Sequence, residues 1–408
     1  MFENICKLEI LQSAFKKVKR NKGCAGIDKV SIKKFDKHLN QHLFELQQLL
    51  KTGKYRPLPL KRTYIPKSNG DKRPLGIPAI RDRIVQQALL TEIEPVFEPI
   101  FSNSSFGFRP GRSPIQAINQ VQEYLDQGYE YIVEADIKDF FTTLHHTRLM
   151  SKVKEYLPKQ EKQVIQLLWK FLKSGVLEEG QIRTQVAGTP QGGVISPILA
   201  NIYLNDFDHK LDKVGLKLVR YADDFIVLAK SVNQATSAMK MIRSMIKSLD
   251  LKLAADKTQI TEYWKGFDFL GYHFQKFYGN RKWPRRKAIN SFKDKVRHAT
   301  RRQQPKNVKM VIIKLNPIIR GWGHYFKYGS VKGRYEELDS WIRMRLRSFI
   351  EKKKWPSGMN WKYPNDHFKS LGLVSLTDIR VYQPELSLSL KGQPCRRAVC
   401  GKSARTVR

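Results

Sequence analysis

An α+β fold is predicted by three stretches of this chain. The segment YIVEADIKDFF (131–141) is rich in β-branched and aromatic residues and indicates a buried strand that ends in acidic side chains. LVRYADDFIVLA (218–229) indicates a hairpin, because two apolar runs flank a pair of aspartates. Between these two stretches, PILANIYLNDF (197–207) repeats apolar residues at helical spacing. Strands that pair locally, separated by long helices, are typical of an α+β protein.

The charge of the chain points to a polyanionic partner. Its 408 residues include 75 Lys and Arg against 37 Asp and Glu, a formal net charge of +38. Such an excess is usually matched by nucleic acid or by an anionic membrane surface. No apolar run of roughly 18 residues spans a bilayer, and the N-terminal MFENICKLEI lacks the layout of a secretory signal. We therefore expect a cytosolic protein that binds nucleic acid and no membrane, with reduced cysteines.

The N-terminal part begins with helical patterns and then changes character. Residues 1–50 are expected to be helical, with a turn in NKGCAGID (21–28). In YRPLPLKRTYIPKSNGDKRPLGIP (55–78), the prolines and glycines exclude a helix, and Asn69-Gly70 is typical of a hairpin turn. Side chains alternate along a strand, so Lys67 and Arg73 share one face only if the loop holds an odd number of residues.

Helices are predicted for most of the middle of the chain. The patterns at 82–98, 114–126 and up to about 174 are helical, and SSFGFRPGRS (104–113), the basic loop, lies between the first two. For the helix after AGTPQGGVI (187–195), Ser196 is expected as the N-cap and Pro197 in the first turn. Leu199, Ile202 and Phe207 are expected on its buried face.

The last third of the chain carries most of the excess charge. Residues 281–408 hold 32 Lys and Arg against 8 Asp and Glu, which accounts for 24 of the 38 excess charges. In WIRMRLRSFIEKKK (341–354), Ile342 and Leu346 share one helix face, while Arg343 and Arg347 lie elsewhere on the cylinder. A charged face is often only solvated, but its repetition over several helices favours a phosphate-binding surface.

Three aspartates suggest where chemistry takes place. Adjacent aspartates near a turn are common because Asp bonds to nearby backbone, so Asp223 and Asp224 alone are a weak signal. Asp136 supplies a third carboxylate from a different strand. If the two strands pair, the three acids converge on one sheet edge and raise one another's pKa unless cations relieve the repulsion. Two Mg²⁺ ions held by such carboxylates catalyse phosphoryl and nucleotidyl transfer.

Five ordered motifs resemble those of reverse transcriptases: EADIKDFF, GTPQGGVISPILANIYL, RYADD, LKLAADKTQI and FDFLGYHF. The residues of these motifs are similar to those of bacterial group II intron reverse transcriptases. The resemblance extends over about residues 1–350, because it also includes AGIDKVS, YIPKSNGDKRPLGIPAIRDRIVQQAL, the basic loop and IIRGWGHYF (318–326). It implies a right-hand polymerase fold, with fingers, a palm built on an antiparallel sheet, and a helical thumb. It also implies a location in the bacterial cytosol or nucleoid.

The resemblance implies a role for each candidate site residue. The catalytic and metal-binding set is Asp136, Asp223 and Asp224 with the backbone carbonyl of Ile137, around two Mg²⁺ ions. The nucleotide-binding set is Lys67 and Arg73 on the triphosphate, Phe141 against the sugar, Gln191 near the nascent base pair, Lys257 as proton donor to pyrophosphate, and Ile137. The nucleic-acid-binding set is Arg109, Arg112, Gly192, Arg343 and Arg347. For Lys67, Arg73 and Lys257, simple solvent exposure remains the alternative.

The resemblance and the composition of the chain together suggest its domains. They are an N-terminal extension (1–50), fingers and palm (51–280), a thumb or maturase domain (281–350), a short DNA-binding segment (351–385) and a disordered tail (386–408). Trp355, Trp361 and Tyr363 either stack on bases or pack a small helical appendix. Cys395 and Cys400 cannot supply a four-ligand metal site, so no C-terminal endonuclease domain is expected.

Three functions remain open at this point. The first is an RNA-directed DNA polymerase with splicing and retrohoming roles, acting on an RNA template, group II intron RNA, a DNA primer or target and dNTPs. The second is a maturase that binds RNA without polymerising. The third is a free-standing reverse transcriptase of DNA repair or defence. The retained acids, Lys67 and Arg73 favour polymerisation, and Phe141 argues against ribonucleotide synthesis because a phenyl ring obstructs a 2′-hydroxyl.

Overall fold

The computed structural model describes residues 1–66, 72–178, 181–183, 188, 192–305, 307–353 and 360–381. The chain divides into two compact units, the first formed by residues 1–124 and 131–260 and the second by residues 125–130 and those from 261 onward. The expected disordered tail, with Cys395 and Cys400, lies outside the described residues. Within the described part, no helix is both long and apolar enough to cross a membrane.

The first unit is a mixture of helices and short sheets. Its helices are α1 (Phe2–Ile5), α2 (Leu8–Arg20), α3 (Ile32–Lys37), α4 (Leu39–Lys51), α5 (Ile80–Phe97), α6 (Pro114–Asp126), α7 (Phe140–Thr143), α8 (His146–Tyr156), α9 (Lys162–Leu172), α10 (Ser196–Lys213) and α11 (Val232–Ser248). Its strands are β1 (Leu60–Pro66), β2 (Lys72–Ile77), β3 (Tyr131–Asp136), β4 (Val176–Glu178), β5 (Gln181–Arg183), β6 (Lys217–Tyr221), β7 (Asp224–Ala229) and β8 (Gln259–Glu262). It also has two 3₁₀ turns, Glu98–Ile100 and Ala255–Lys257, and the last two residues of α6 and of β8 belong to the second unit.

The central sheet has the strand order β6-β7-β3-β8. β7 pairs antiparallel with both β6 and β3, so the predicted hairpin and the predicted buried strand are neighbours in one sheet. Every residue of β7 after Asp224 is buried, because α11 packs against β7 and β3 while α10 packs against β6. The apolar runs of the two sequence stretches therefore form the core beneath the acidic edge.

The β1–β2 hairpin belongs to a second sheet, of order β2-β1-β4-β5. Pro66 pairs with Lys72, so five residues, 67–71, separate the last paired positions. This number is odd, and Arg73 lies directly opposite Ile65. Lys67 itself lies outside the described residues. The base of the hairpin is held by the buried Asp82 of α5, which accepts hydrogen bonds from the Tyr55 hydroxyl at 2.6 Å and the Leu58 amide at 3.0 Å.

Helix α10 confirms the predicted apolar stripe and corrects its predicted cap. Leu199, Ile202 and Phe207 are all buried. The helix begins at Ser196 itself, with Ile195 as the N-cap residue and no side-chain capping bond. The prediction of Ser196 as the cap was therefore wrong by one position, because Pro197 and Ser196 both already have helical geometry.

The second unit consists of a small sheet and a helical bundle. Its strands β9 (Phe267–Phe269), β10 (Tyr272–Lys276) and β11 (Asn280–Pro284) form an antiparallel sheet of order β11-β10-β9. Its helices are α12 (Arg286–Ala299), α13 (Val308–Phe326), α14 (Lys332–Glu351), α15 (Asn365–Ser370) and α16 (Leu376–Val381). On α14, Ile342 and Leu346 are buried as their spacing predicted, and Phe349 and Arg347, which was expected away from this face, are buried as well.

The predicted DNA-binding segment contains residues that complete the core of the second unit. Phe368 of α15 and Leu376 of α16 join the same buried cluster as α13 and α14. Tyr363 is partly buried on this cluster and donates its hydroxyl to Glu351. Trp361 is 82% exposed, and Trp355 lies outside the described residues. Packing thus accounts for Tyr363, and Trp361 is the aromatic ring that solvent or a base can reach.

A buried lysine in this unit makes stability depend on pH. Lys282 of β11 is 8% exposed, and burial lowers the pKa of its ammonium to about 8 from 10.5, with the charge of Asp126 opposing the shift. Between these two values the unfolded chain binds the proton that the folded chain has lost, so wild-type stability rises as pH increases through this window.

We predict that Lys282→Met stabilises the protein at pH 7 by up to about 3 kcal/mol. The gain should shrink as pH rises from 8 to 10.5, because the free-energy cost of removing the proton from the lysine on folding decreases toward zero at the unfolded pKa. Melting temperatures of the two proteins, measured in parallel at pH 7 and pH 10, check this. A difference in Tm that is the same at both pH values would contradict it.

Candidate active site

The three predicted aspartates meet at one edge of the central sheet. Asp136, the last residue of β3, lies directly opposite Asp224, the first residue of β7. Asp224 also pairs with Tyr221 across the hairpin, so Ala222 and Asp223 form a two-residue turn. Ala222 has φ of +61°, a conformation that L-residues rarely adopt outside tight turns. The register thus brings two carboxylates side by side and places the third in the turn beside them.

The surroundings of Asp223 shift the pKa of its carboxyl in both directions. Burial raises the pKa of the Asp223 carboxyl, its own backbone N–H lowers it, and the charge of Asp136 raises it further. The positive charges of Arg73 and Lys257 lower it. Arg73 therefore lies close enough to the acidic edge to act on Asp223, although its own side chain is exposed. This places one of the two predicted triphosphate-binding residues beside the aspartates.

Lys257 is bonded to the first aspartate. Its ammonium donates to the Asp136 carboxylate, and this hydrogen bond raises the lysine pKa. The Lys257 side chain is 62% exposed, so the pair sits at the surface of the edge. Among the described residues, no group of three or more His, Cys, Asp or Glu side chains is arranged to hold a metal ion. The edge has oxygen donors of the type that Mg²⁺ prefers, with Asp136 turned toward Lys257.

The backbone after Asp136 joins the segment that carries Lys257. The Ala254 amide donates to the Asp136 carbonyl and the Lys138 amide donates to the Lys252 carbonyl, both at 2.8 Å. These bonds form a bridge between Ile137 and Leu253 and use neither carbonyl oxygen of that pair. The Ile137 carbonyl, the predicted backbone ligand, is thus located next to Asp136 and is not used in the bridge.

Phe140 and Phe141 open helix α7, one inside the core and the other at its edge. Phe140 is 1% exposed, as expected for a core residue. Phe141 is half-buried at the edge of the core, with its ring centroid 5.4 Å from that of Phe140. Packing of Phe140 therefore limits how far the ring of Phe141 moves.

Gly188, in the loop before α10, is hydrogen-bonded to the junction of α7 and α8. The Gly188 amide donates to the Leu144 carbonyl at 2.7 Å, and the ring of His146 donates from Nε2 to the Gly188 carbonyl at 2.6 Å. Burial lowers the pKa of His146, so the imidazole is neutral at pH 7. Gln191 lies outside the described residues. Gly192 has φ of +113°, and a Cβ there would lie 2.9 Å from the carbonyl oxygen of Gly76.

Comparison with known proteins gives this edge its context. The family described as reverse transcriptase (RNA-dependent DNA polymerase) matches residues 65–274, more than half of the chain. This chain belongs to the reverse transcriptase family. The maturase-specific domain of group II introns matches residues 289–365. The right-hand polymerase fold and the group II intron type predicted from the sequence are therefore confirmed.

Individual relatives cover part of this reverse transcriptase. Protein YkfC of Escherichia coli (strain K12) is 38% identical over 60% of this chain and 74% of its own length. Group II intron-encoded protein LtrA of Lactococcus lactis is 30% identical over 67% of this chain and 56% of its own length. An uncharacterized 91 kDa protein in a cob intron of Schizosaccharomyces pombe is 28% identical over 79% of this chain, and the matched region is half of that protein.

The arginines of the basic loop organise this part of the reverse transcriptase. Arg109 is 8% exposed, and its guanidinium donates to Glu98 and to the carbonyls of Ser102 and Ser105. Arg112 is more open and donates to Asn103. A phosphate contact by Arg109 would have to break these hydrogen bonds, so the described geometry gives this residue a structural role.

Arg343 and Arg347 of α14 differ in the same way. Arg347 is 6% exposed and donates to the Tyr363 carbonyl at 2.9 Å and to Asn365 at 3.1 Å. Arg343 is partly exposed and lies close enough to lower the pKa of Arg347, after burial as the larger cause. Of the two predicted nucleic-acid contacts on this helix, Arg343 is the one that a phosphate can reach.

A buried ion pair near the aspartates was missed by the sequence analysis. Arg220 of β6 and Asp208 of α10 are both fully buried and hydrogen-bonded to each other. Each breaks an apolar pattern: Arg220 follows Leu218 on one strand face, and Asp208 stands between Leu204 and Leu211 on one helix face. The sequence signal for this ion pair was a charged residue at an inward-facing position of each of two consecutive elements, with opposite signs.

Arg343→Ala is predicted to weaken RNA binding and to reduce the slope of log affinity against log salt by about 1. Its Tm should change little, because the side chain is partly exposed. Arg347→Ala is the matched comparison on the same helix: it should lower Tm, since a carbonyl and an amide lose their donor, and leave the salt slope unchanged. Filter binding across a salt series and thermal unfolding distinguish the two. The opposite assignment of effects would contradict the burial argument.

Proposed function

We propose that this protein is an RNA-directed DNA polymerase of the group II intron type, which also assists intron splicing and retrohoming. The observation that carries the proposal is the pairing of Asp136 with Asp224 beside the turn that bears Asp223. Membership of the reverse transcriptase family and the match to the maturase-specific domain support it. The proposed partners are an RNA template, group II intron RNA, a DNA primer or target, and dNTPs, in the bacterial cytosol or nucleoid.

Asp136, Asp223 and the carbonyl of Ile137 would hold two Mg²⁺ ions, with Asp224 beside them. The donor chemistry fits, because these are hard oxygen atoms and because burial and Asp136 both disfavour the ionised form of Asp223 unless positive charge is near. When bound, the two ions activate the attacking hydroxyl and stabilise the leaving oxygen. Asp136 is bonded to Lys257 in this structure, so an ion would compete with that lysine for the carboxylate.

The neighbouring cations are proposed to act on the triphosphate. Arg73 acts electrostatically on Asp223 and is exposed, so its guanidinium is available for bidentate contact with phosphate oxygens. Lys257, once released from Asp136, is proposed to donate a proton to the pyrophosphate leaving group. Lys67 and Gln191 keep their proposed roles at the triphosphate and the nascent base pair, although both lie outside the described residues.

The proposed choice of deoxynucleotides depends on Phe141. Its position on α7, five residues after Asp136, is held by the buried Phe140 and by the short helix that both residues open. A phenyl ring in contact with the sugar excludes a 2′-hydroxyl by size and offers it no hydrogen bond. Discrimination is therefore steric, and shortening the side chain should remove it.

The polymerase proposal is tested by primer extension on an RNA template with dNTPs and Mg²⁺. Wild type should make DNA, and Asp223→Ala should lower the rate by about 100-fold or more, because a metal-binding carboxylate stabilises the transition state by several kcal/mol. Asp250→Ala removes a surface carboxylate that pairs with Arg148 and should leave the rate unchanged.

The same variant separates polymerase from maturase function. With Asp223→Ala, splicing of a group II intron RNA should continue, because the protein's RNA-binding surface is unaltered. If wild type binds RNA tightly and promotes splicing yet makes no DNA, the non-polymerising maturase becomes the correct assignment. If it makes DNA and has no effect on splicing, the free-standing reverse transcriptase of repair or defence does.

Phe141→Ala is predicted to raise ribonucleotide incorporation relative to deoxynucleotide incorporation by about tenfold or more. The measurement is kcat/KM for each of the two nucleotide types on one primer and template. Phe15→Leu serves as the matched control, because it alters a buried ring of α2 that packs on Phe35 instead of Phe141; it should lower Tm and leave the selectivity near wild type. Equal selectivity of Phe141→Ala and wild type would remove Phe141 from the sugar site.

A further inference from the structure

A guanidinium lies directly beneath the turn that carries Asp223. Arg220 donates from Nε to Asp208 at 2.7 Å, and its Nη2 also donates to Asp208. Its Nη1 donates to the Ala222 carbonyl at 2.9 Å and to the Asn201 side chain at 3.1 Å. The planar fork of Arg220 therefore joins helix α10 to the backbone of the turn, and Asp208 sets its orientation.

Stability alone does not account for this pair. Removing two charges from water is costly, and a buried ion pair is often no more stabilising than apolar side chains of similar volume. Arg220 and Asp208 occupy positions where the neighbouring residues on each face are apolar, so aliphatic side chains would fit the pattern. What an aliphatic pair cannot supply is a donor for the Ala222 carbonyl, in a turn where Ala222 has φ of +61°.

The basic loop holds the turn from a second direction. The Phe106 amide donates to the Arg220 carbonyl and the Arg220 amide donates to the Ser104 carbonyl, both at 2.8 Å. Gly107 lies so close that a Cβ there would be 2.4 Å from the Ala222 amide nitrogen. Asn201, which accepts from Arg220, also donates to the Gly107 carbonyl at 2.9 Å. One asparagine thus connects the guanidinium to the loop, and the turn lies between them.

We propose that Arg220 is a positioning residue for polymerisation, which holds the Ala222–Asp223 turn in place through the Ala222 carbonyl, with Gly107 of the basic loop as the opposing contact. Arg220 is buried and touches no substrate, so its effect on the reaction passes through Asp223. The basic loop, whose arginines suggested nucleic-acid binding, has on this view a second task as a support for the acidic edge. The inference rests on the proposed polymerase function.

The first test is Arg220→Lys. Lysine keeps the positive charge beside Asp208 but presents one ammonium where arginine presents a fork, so it cannot bond Asp208 and the Ala222 carbonyl with the same geometry. We expect kcat in primer extension to fall by about 10- to 100-fold, with KM for dNTP nearly unchanged, because one fixed hydrogen bond to the turn is lost. Arg148→Lys, which alters the exposed pair with Asp250 in the same unit, is the matched control and should keep wild-type kcat.

Hydrogen–deuterium exchange of the metal-free protein gives a second readout that does not depend on activity. In Arg220→Lys, peptides that contain residues 221–225 should exchange faster, while the rest of the central sheet should keep wild-type protection. Faster exchange over the whole sheet, with wild-type kcat per folded molecule, would show that Arg220 only stabilises the fold and would overturn the proposal.

Gly107→Ala is a second variant, which perturbs the turn from the side of the basic loop. It keeps the proposal testable if Arg220→Lys fails to fold. An added methyl group must displace the Ala222 backbone, so exchange at 221–225 should increase and kcat should fall while α10 keeps its protection. Wild-type kcat in both variants would overturn the positioning role. If wild-type protein makes no DNA at all, the proposed polymerase function fails, and the exchange experiments still decide whether Arg220 holds the turn.

Discussion

The antiparallel register that pairs Asp136 with Asp224 is the constraint on which the site depends. Both residues end their strands at the same edge, and the turn between β6 and β7 adds Asp223 beside them. A shift of one residue would send one carboxylate to the opposite face of the sheet, since side chains alternate along a strand. The two-residue turn between β6 and β7 fixes their register, and a shift of β3 would move Glu134 and Asp136 to the face that Val133 and Ala135 now occupy.

Three carboxylates at one edge repel one another, and neighbouring cations reduce this repulsion. Lys257 is bonded to Asp136, and Arg73 acts on Asp223 from the β1–β2 hairpin. The bridge between Ile137 and Leu253 brings the Lys257 segment back to the strand end. In the proposed function, a divalent cation would replace Lys257 as the positive partner of Asp136, and a phosphate would replace Asp136 as the negative partner of Lys257.

The basic residues of this protein serve two different purposes. Arg109, Arg220 and Arg347 are buried and donate to backbone carbonyls or buried acids, so they hold loops and helices in place. Residues such as Arg73 have exposed side chains, and a phosphate can reach them. Net charge indicates the polyanionic partner correctly, yet part of that charge is structural. The surface that faces nucleic acid is accordingly smaller than the count of Lys and Arg suggests.

Local pattern in the sequence was enough to predict the hairpin of residues 218–229, the strand that ends at Asp136 and the buried stripe of α10, because apolar periodicity and turn residues act over a few neighbours. The family was recognised from the resemblance of five motifs in order, which can be read directly from the sequence. Contacts between distant segments could not be predicted: Lys257 with Asp136, His146 with Gly188, and Arg220 with Asp208. Each joins side chains whose distance depends on how whole elements pack, and no spacing along the chain encodes that distance. Tertiary packing therefore decided which charges are buried, which remain exposed, and what holds the turn that carries Asp223.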